Sequence, residues 1–81
     1  MHVSVQFFSW FKDLTGCAQT TAAVTAGCTL GELHEQLIAR FPGLGPLRKA
    51  TLIAVGVDYQ PRDFVLRDGD EISLFPPVQG G

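Results

Sequence analysis

The sequence has 81 residues, enough for one domain near the lower size limit at which a single apolar core suffices. Its 46% hydrophobic and 17% charged residues exclude a disordered chain, and a net charge of −2 with six scattered basic residues argues against a nucleic-acid-binding protein. The longest apolar run, residues 52–57, is too short to cross a bilayer, and no signal peptide is recognisable, so we expect a cytoplasmic protein that enters no membrane.

A strand is predicted at residues 2–8, where apolar and polar residues alternate and place Phe7 on one face and Phe8 on the other. The apolar residues of segment 10–14 recur at helical spacing and predict a short helical turn. Segment 19–25 is rich in Thr, Ala and Val and predicts a second strand, antiparallel to the first.

The main helix is predicted between Thr29 and Phe41. Thr29 and Glu32 form a capping-box pattern, in which each side chain can bond a free backbone N–H at the helix start. An apolar stripe follows at helical spacing, formed by Leu30, Leu33, Leu37, Ile38 and Phe41. Pro42 cannot continue the helix. Because isolated helices of this length are marginal, we expect the stripe to pack against a sheet.

The second half of the chain is predicted to contain two more strands. Residues 52–57 are continuously apolar and indicate a buried strand, whereas 59–67, interrupted by Pro61, indicate no regular element. Asp68-Gly69-Asp70 is typical of a turn. Residues 71–75 alternate again and predict the last strand.

The candidate metal ligands and nucleophiles form no recognisable site. Cys17 and Cys28 lack the CxxC spacing, and two thiols cannot complete a four-thiolate metal centre, so we expect free, buried or half-buried thiols and no metal. His2, at the start of a strand, and His34, beside polar residues of the main helix, are expected at the surface. No nucleophile–base arrangement can be assembled from these residues.

Together the elements predict a two-layer α+β domain over residues 1–75, a mixed sheet with one main helix packed on one face. The first and last strands should run parallel at its centre, which is the β-grasp or ubiquitin-like arrangement. Residues 76–81 are predicted to form an extended C-terminal tail ending in Gly-Gly. Phe75 and Phe8 should lie on the face away from the helix, at the root of this tail, and we interpret them as a docking surface for partner proteins.

The end of the chain resembles that of a known family. The stretch DGDEISLFPPVQGG is similar to the signature of the small subunit of molybdopterin synthase, a ubiquitin-like sulfur carrier, with its DGD turn, apolar strand, paired prolines and terminal Gly-Gly. VQFFSWFKDLTG resembles that family's first strand and short helix, and TLGELHEQLIARFP resembles its main helix, so the likeness extends over the whole chain. One difference is Gly56, where such carriers often place Asn after the apolar strand.

The resemblance implies a chemistry for the Gly81 carboxylate. An ATP-dependent activating enzyme would adenylate it, and a sulfur donor such as a cysteine desulfurase or a rhodanese-like protein would supply the sulfur of a C-terminal thiocarboxylate. The loaded tail would enter the large subunit, in an expected heterotetramer, and donate sulfur to cyclic pyranopterin monophosphate. No cofactor would be bound permanently, because the cargo is the covalent sulfur at Gly81 and the catalytic residues are expected on the large subunit.

The residue types of the tail suit this role. A carboxylate is a poor electrophile until it carries a good leaving group, and glycine has no Cβ to hinder its carbonyl or to block a narrow channel. Prolines at the base keep the segment extended, and six extended residues reach about 20 Å. The tail consists of Pro76, Pro77, Val78, Gln79, Gly80 and Gly81.

Other readings share the fold. A sulfur carrier for thiazole synthesis also ends in Gly-Gly but tends to lack the paired prolines, and a carrier for tRNA thiolation or a ubiquitin-like protein modifier would use the same acyl-adenylate chemistry. Only FPPVQGG separates these from the molybdopterin carrier. A β-grasp interaction module without tail chemistry is the alternative from another class, and it would have no use for a free Gly-Gly end.

Overall fold

The computed structural model describes residues 1–77 of the chain, and its elements follow the predicted order. In chain order they are β1 (His2–Phe7), α1 (Phe11–Thr15), β2 (Gln19–Ala23), α2 (Leu30–Arg40), a 3₁₀ helix (Pro42–Leu47), β3 (Leu52–Val55), β4 (Asp58–Tyr59) and β5 (Glu71–Phe75). Among these residues no helix has the length and apolar character needed to cross a membrane.

The strands form one mixed sheet in the order β2-β1-β5-β3-β4. At its centre β1 and β5 run parallel, with Val5 opposite Ile72 and Phe7 opposite Leu74. The other neighbours are antiparallel, β2 on β1 and β3 on β5. The α+β class and the central parallel pair of the ubiquitin-like β-grasp arrangement are therefore confirmed.

The core lies between one face of the sheet and α2. Alternation along β1 and β5 turns Val5, Phe7, Ile72 and Leu74 toward the helix, where all four are buried. From α2 the core receives the apolar stripe, of which Leu30, Leu33 and Leu37 are fully buried and Ile38 and Phe41 half-buried.

The start of α2 follows the predicted capping box. The Thr29 hydroxyl accepts from the Glu32 N–H at 3.2 Å, and the Glu32 carboxylate accepts from the Thr29 N–H at 3.0 Å. The N–H groups of Leu30 and Gly31 donate to the carbonyls of Phe64 and Arg62, both at 2.8 Å. The first turn of the helix is thus joined to the segment before the last strand.

Two polar side chains of α2 reach across to β2. Gln36 Nε2 donates to the Ala23 carbonyl at 3.0 Å, and Arg40 Nη1 donates to the Thr21 carbonyl at 3.0 Å. The second guanidinium nitrogen of Arg40 donates to the Thr20 hydroxyl at 2.9 Å. These contacts fix the helix over the outer strand of the sheet.

The prediction of one buried strand over residues 52–57 is wrong at its end. β3 stops at Val55, Gly56 has a φ of +63°, and the chain returns as β4 with Asp58 opposite Val55. A two-residue hairpin loop favours positive φ at its first position, which Gly adopts without strain, and Asn tolerates it better than most residues. Val57 at the loop tip is 97% exposed.

His34 is not at the surface as predicted, because the helix places it on the buried side. It lies four residues after Leu30 and three before Leu37, so it shares their face of α2. The side chain is 1% exposed, and its Nδ1 lies 3.0 Å from Nη1 of Arg62. His2 is exposed, as expected.

Candidate functional site

The outer face of the sheet carries the predicted aromatic pair. The Phe8 and Phe75 rings stack with centroids 4.6 Å apart and planes inclined by 15°. The pair arises from the parallel register of β1 and β5, in which the Phe8 N–H donates to the Leu74 carbonyl at 3.2 Å. Phe8 therefore emerges beside Phe75, one residue beyond the last buried position of each strand.

Two further apolar side chains extend the pair. Leu52 of β3 lies opposite Phe75 in the antiparallel register, and the Tyr59 ring of β4 meets the Phe75 ring edge-on with centroids 6.1 Å apart. The exposed fractions are 37% for Phe8, 40% for Leu52 and 65% for Tyr59. These four residues are here called the aromatic patch. Its contiguity distinguishes it from scattered surface apolar residues.

A groove runs from the aromatic patch to the base of the tail. It has a volume of about 430 Å³, and Trp10, Pro76 and Pro77 line it beside Leu52, Tyr59 and Phe75. Backbone geometry brings Trp10 here, because the chain turns directly after Phe8 through Ser9, whose φ of +55° is uncommon for a residue other than Gly. Both prolines are half-buried. The tail thus leaves the domain beside an apolar groove.

The structure brings together only some of the predicted site residues. Phe8, Phe75, Pro76 and Pro77 meet at one end of the outer face. The predicted tail residues Val78, Gln79, Gly80 and Gly81 lie outside the described residues. Their roles stay predictions.

Sequence reasoning missed Trp10, Leu52 and Tyr59. Leu52 was assigned to a buried strand and Tyr59 to an irregular segment. The continuously apolar residues of β3 give no signal for the exposure of Leu52, which lies opposite Phe75 on the outer face. The position of Tyr59 depends on the β3–β4 hairpin, which Gly56 could have indicated.

Reactive side chains are sparse around this site. Within residues 1–77 no group of three or more His, Cys, Asp or Glu residues could hold a metal ion. Cys28 is buried and Cys17 half-buried, and both are free thiols. Burial raises the pKa of the Cys28 thiol, Glu32 raises it further, and a backbone hydrogen bond from Leu33 acts in the opposite direction. The described part of the site therefore offers apolar surface rather than acid–base groups.

Comparison with known proteins gives a consistent picture. The model of the ThiS family matches residues 5–81. The molybdopterin synthase sulfur carrier subunit of Chlamydomonas reinhardtii is 31% identical, and the match covers 100% of this chain and 100% of that protein. The subunit of the same name from Homo sapiens is 32% identical, and the match covers 98% of this chain and 93% of that protein.

Two solved structures extend the comparison. A complex of subunits 1 and 2 of the molybdopterin-converting factor from Helicobacter pylori contains a chain that is 30% identical, with a TM-score of 0.72 and full coverage of both chains. The small archaeal modifier protein 1 of Haloferax volcanii has a TM-score of 0.86 over 95% of this chain and 98% of its own, and at 21% identity it shows the fold alone.

Proposed function

The chain belongs to the ThiS family, and from that premise we propose that it is the sulfur carrier subunit of a molybdopterin synthase. The observation that carries the proposal is the aromatic patch beside Pro76 and Pro77, from which the predicted Gly-Gly tail continues. An apolar surface at the base of a tail serves a protein that must present the tail inside a partner's active site.

Gly81 is the proposed point of sulfur attachment. Its carboxylate oxygen attacks the α-phosphorus of ATP on an activating enzyme, pyrophosphate leaves, and the acyl adenylate forms. The outer sulfur of a donor persulfide then displaces AMP and forms an acyl disulfide. A second thiol attacks the donor's own sulfur, so the donor leaves as a disulfide and the outer sulfur stays on the carbonyl carbon as a thiocarboxylate. The thiocarboxylate donates that sulfur to cyclic pyranopterin monophosphate. Gly80 and Gly81 leave the carbonyl unhindered throughout.

The proposed partners follow the same logic. One is the large subunit, in keeping with the Helicobacter pylori complex of subunits 1 and 2, and the expected assembly is a heterotetramer. The others are the ATP-dependent activating enzyme and a sulfur donor such as a cysteine desulfurase or a rhodanese-like protein. We assign the aromatic patch as the binding surface for the large subunit and for the activating enzyme, because either partner in turn can cover the stacked, half-exposed rings.

Mass spectrometry of the protein isolated from its native host tests the proposal. The expected result is a fraction of chains in which one oxygen is replaced by sulfur, with fragmentation placing the change in the C-terminal peptide. Oxidation of Met1 produces nearly the same mass change, and only fragmentation separates the two because Met1 lies at the opposite end. A C-terminal peptide in which no oxygen is replaced by sulfur, under conditions of active cofactor synthesis, would contradict the carrier function. Gly81 linked to lysines of other proteins would indicate a protein modifier.

A further inference from the structure

A second cavity lies on the other side of the sheet from the aromatic patch. It has a volume of about 470 Å³ and opens between α2, the segment after the 3₁₀ helix, β3 and the segment after β4. Ile53, which faces the buried side of β3, lines it together with Leu30, whereas neighbouring Leu52 belongs to the aromatic patch. A ligand in this cavity would leave the outer face of the sheet free.

The cavity concentrates positive charge in an acidic protein. Three of the six basic residues of the chain, Arg48, Lys49 and Arg62, line it, although the net charge of the whole chain is −2. Oxygen Oε2 of Glu35 lies 2.8 Å from Arg48 Nε and 3.3 Å from Arg62 Nη2. One carboxylate thus contacts two guanidinium groups, and three cations against one anion leave an excess of positive charge at the opening.

A buried donor without a partner adjoins these cations. Arg62 can only donate, so its 3.0 Å contact makes His34 Nδ1 an acceptor and places the proton of the neutral ring on Nε2. Nε2 is buried and has no hydrogen-bond partner within residues 1–77. His34 is 1% exposed and lines the cavity. A buried polar group left unpaired is uncommon and calls for an acceptor.

We propose that this cavity binds a small phosphate-bearing molecule with a compact apolar portion. The guanidinium groups of Arg48 and Arg62 retain N–H donors beyond those directed at Glu35, at His34 and at the Gly31 carbonyl, and such forks suit phosphate oxygens. Leu30 and Ile53 provide the apolar wall. The volume of about 470 Å³ lies within the range of small-molecule sites and exceeds what a bare phosphate ion fills. The site is independent of Gly81 and of the proposed sulfur transfer.

Nuclear magnetic resonance titration of the full-length ¹⁵N-labelled chain with phenyl phosphate tests the proposal. At constant ionic strength we expect saturable shifts confined to amides that line the cavity and to the His34 ring. Inorganic phosphate should bind several-fold more weakly because it leaves the apolar wall uncovered. Benzoate and benzyl alcohol complete the series, and tighter binding of phenyl phosphate than of either supports the assigned ligand class.

Charge variants sharpen the test. Arg48→Gln should weaken phenyl phosphate binding roughly five- to tenfold, since it removes a charge-assisted contact, whereas Arg67→Gln, an exposed basic residue that does not line the cavity, should leave the affinity unchanged. Glu35→Gln should tighten binding, because it removes the negative charge that lies against both guanidinium groups. Equal losses for Arg48→Gln and Arg67→Gln, shifts that never saturate, or benzoate binding as tightly as phenyl phosphate would each overturn the proposal.

Discussion

The ring of Phe8, the residue directly after β1, stacks at 4.6 Å on the ring of Phe75 in the neighbouring parallel strand β5, on the face of the sheet that the helix does not cover. Alternation of side chains accounts for this, since each Phe follows a buried strand residue, Phe7 or Leu74. Two aromatic side chains are thus held in a fixed orientation at low conformational cost. A partner would meet a preformed surface rather than one that has to be ordered.

Truncation of Phe75 should weaken partner binding. Burying a Phe contributes about 1.5–3 kcal/mol, so Phe75→Ala should reduce affinity for the large subunit and for the activating enzyme roughly 10- to 100-fold if the ring is a central contact. Calorimetry with each purified partner measures this. Val57→Ala is the matched control, because Val57 is an apolar residue with 97% exposure that does not line the groove. Unchanged affinity of Phe75→Ala for both partners would remove this residue from the interface.

The effects of substituting Gly81 and Gly69 should separate function from stability. Gly81→Ala should reduce adenylation or sulfur transfer, with the free energy of unfolding within about 0.5 kcal/mol of wild type. Gly69 has a φ of +83°, so Gly69→Ala should lower the free energy of unfolding by about 1–2 kcal/mol through backbone strain alone, since nothing lies within 4 Å of the added Cβ. The melting temperature and a sulfur-transfer assay on both variants measure the two effects. Wild-type transfer by Gly81→Ala would refute the role given to the bare glycine.

The two thiols should differ in reactivity. Cys17 is half-buried, whereas Cys28 is buried, donates through Sγ to the Thr29 carbonyl at 3.4 Å and has a raised pKa because of burial and Glu32. Since the thiolate is the reactive form, a disulfide reagent should modify Cys17 quickly and Cys28 only slowly or after unfolding. Cys17→Ser should remove the fast phase and Cys28→Ser the slow one. A fast phase that survives Cys17→Ser would reverse the assignment.

Stability should fall as the solution is acidified past the ordinary pKa of histidine. Burial lowers the pKa of His34, the neighbouring Arg62 and Arg48 lower it further, and Glu35 acts in the opposite direction. Below about pH 6.5 His34 is protonated in the unfolded chain but stays neutral in the folded chain. As the pH falls from there to the folded pKa of His34, the free energy of unfolding decreases by at most about 1.4 kcal/mol per pH unit.

Chemical denaturation at several pH values between about 7.5 and 5.5 measures this dependence. His34→Gln removes the titrating group and should flatten this part of the profile, whatever its effect on stability at neutral pH. If the variant and the wild type lose stability in parallel on acidification, His34 is not the source of the slope.

Local signals in the sequence predicted most of the fold. The Thr29 and Glu32 pattern located the helix start, and the alternation along 71–75 gave the buried and exposed faces of β5. The prediction that His34 lies at the surface is wrong because it rests on the polar character of the residue. The spacing of His34 from Leu30 and Leu37 places it on the buried face of the helix.

The site was less predictable than the fold. Phe8 and Phe75 could be paired because alternation places both on the outer face and the topology makes their strands neighbours. Tyr59 joins them only through the hairpin after Gly56, and the cavity lined by His34 and Arg62 brings together segments that are distant in the chain. Contacts of that kind depend on tertiary packing, which local periodicity does not encode.

The contacts of Gln36 and Arg40 with β2 have a consequence for self-association. In β2, an edge strand of the sheet, every second residue is hydrogen-bonded to β1. Thr21 and Ala23 are the residues in between, so their carbonyls point outward from the edge of the sheet. Such acceptors are a template on which another chain can add a strand, the route to edge-to-edge aggregation. Because the two helix side chains already donate to these carbonyls, a second copy would have to displace both before it could extend the sheet there.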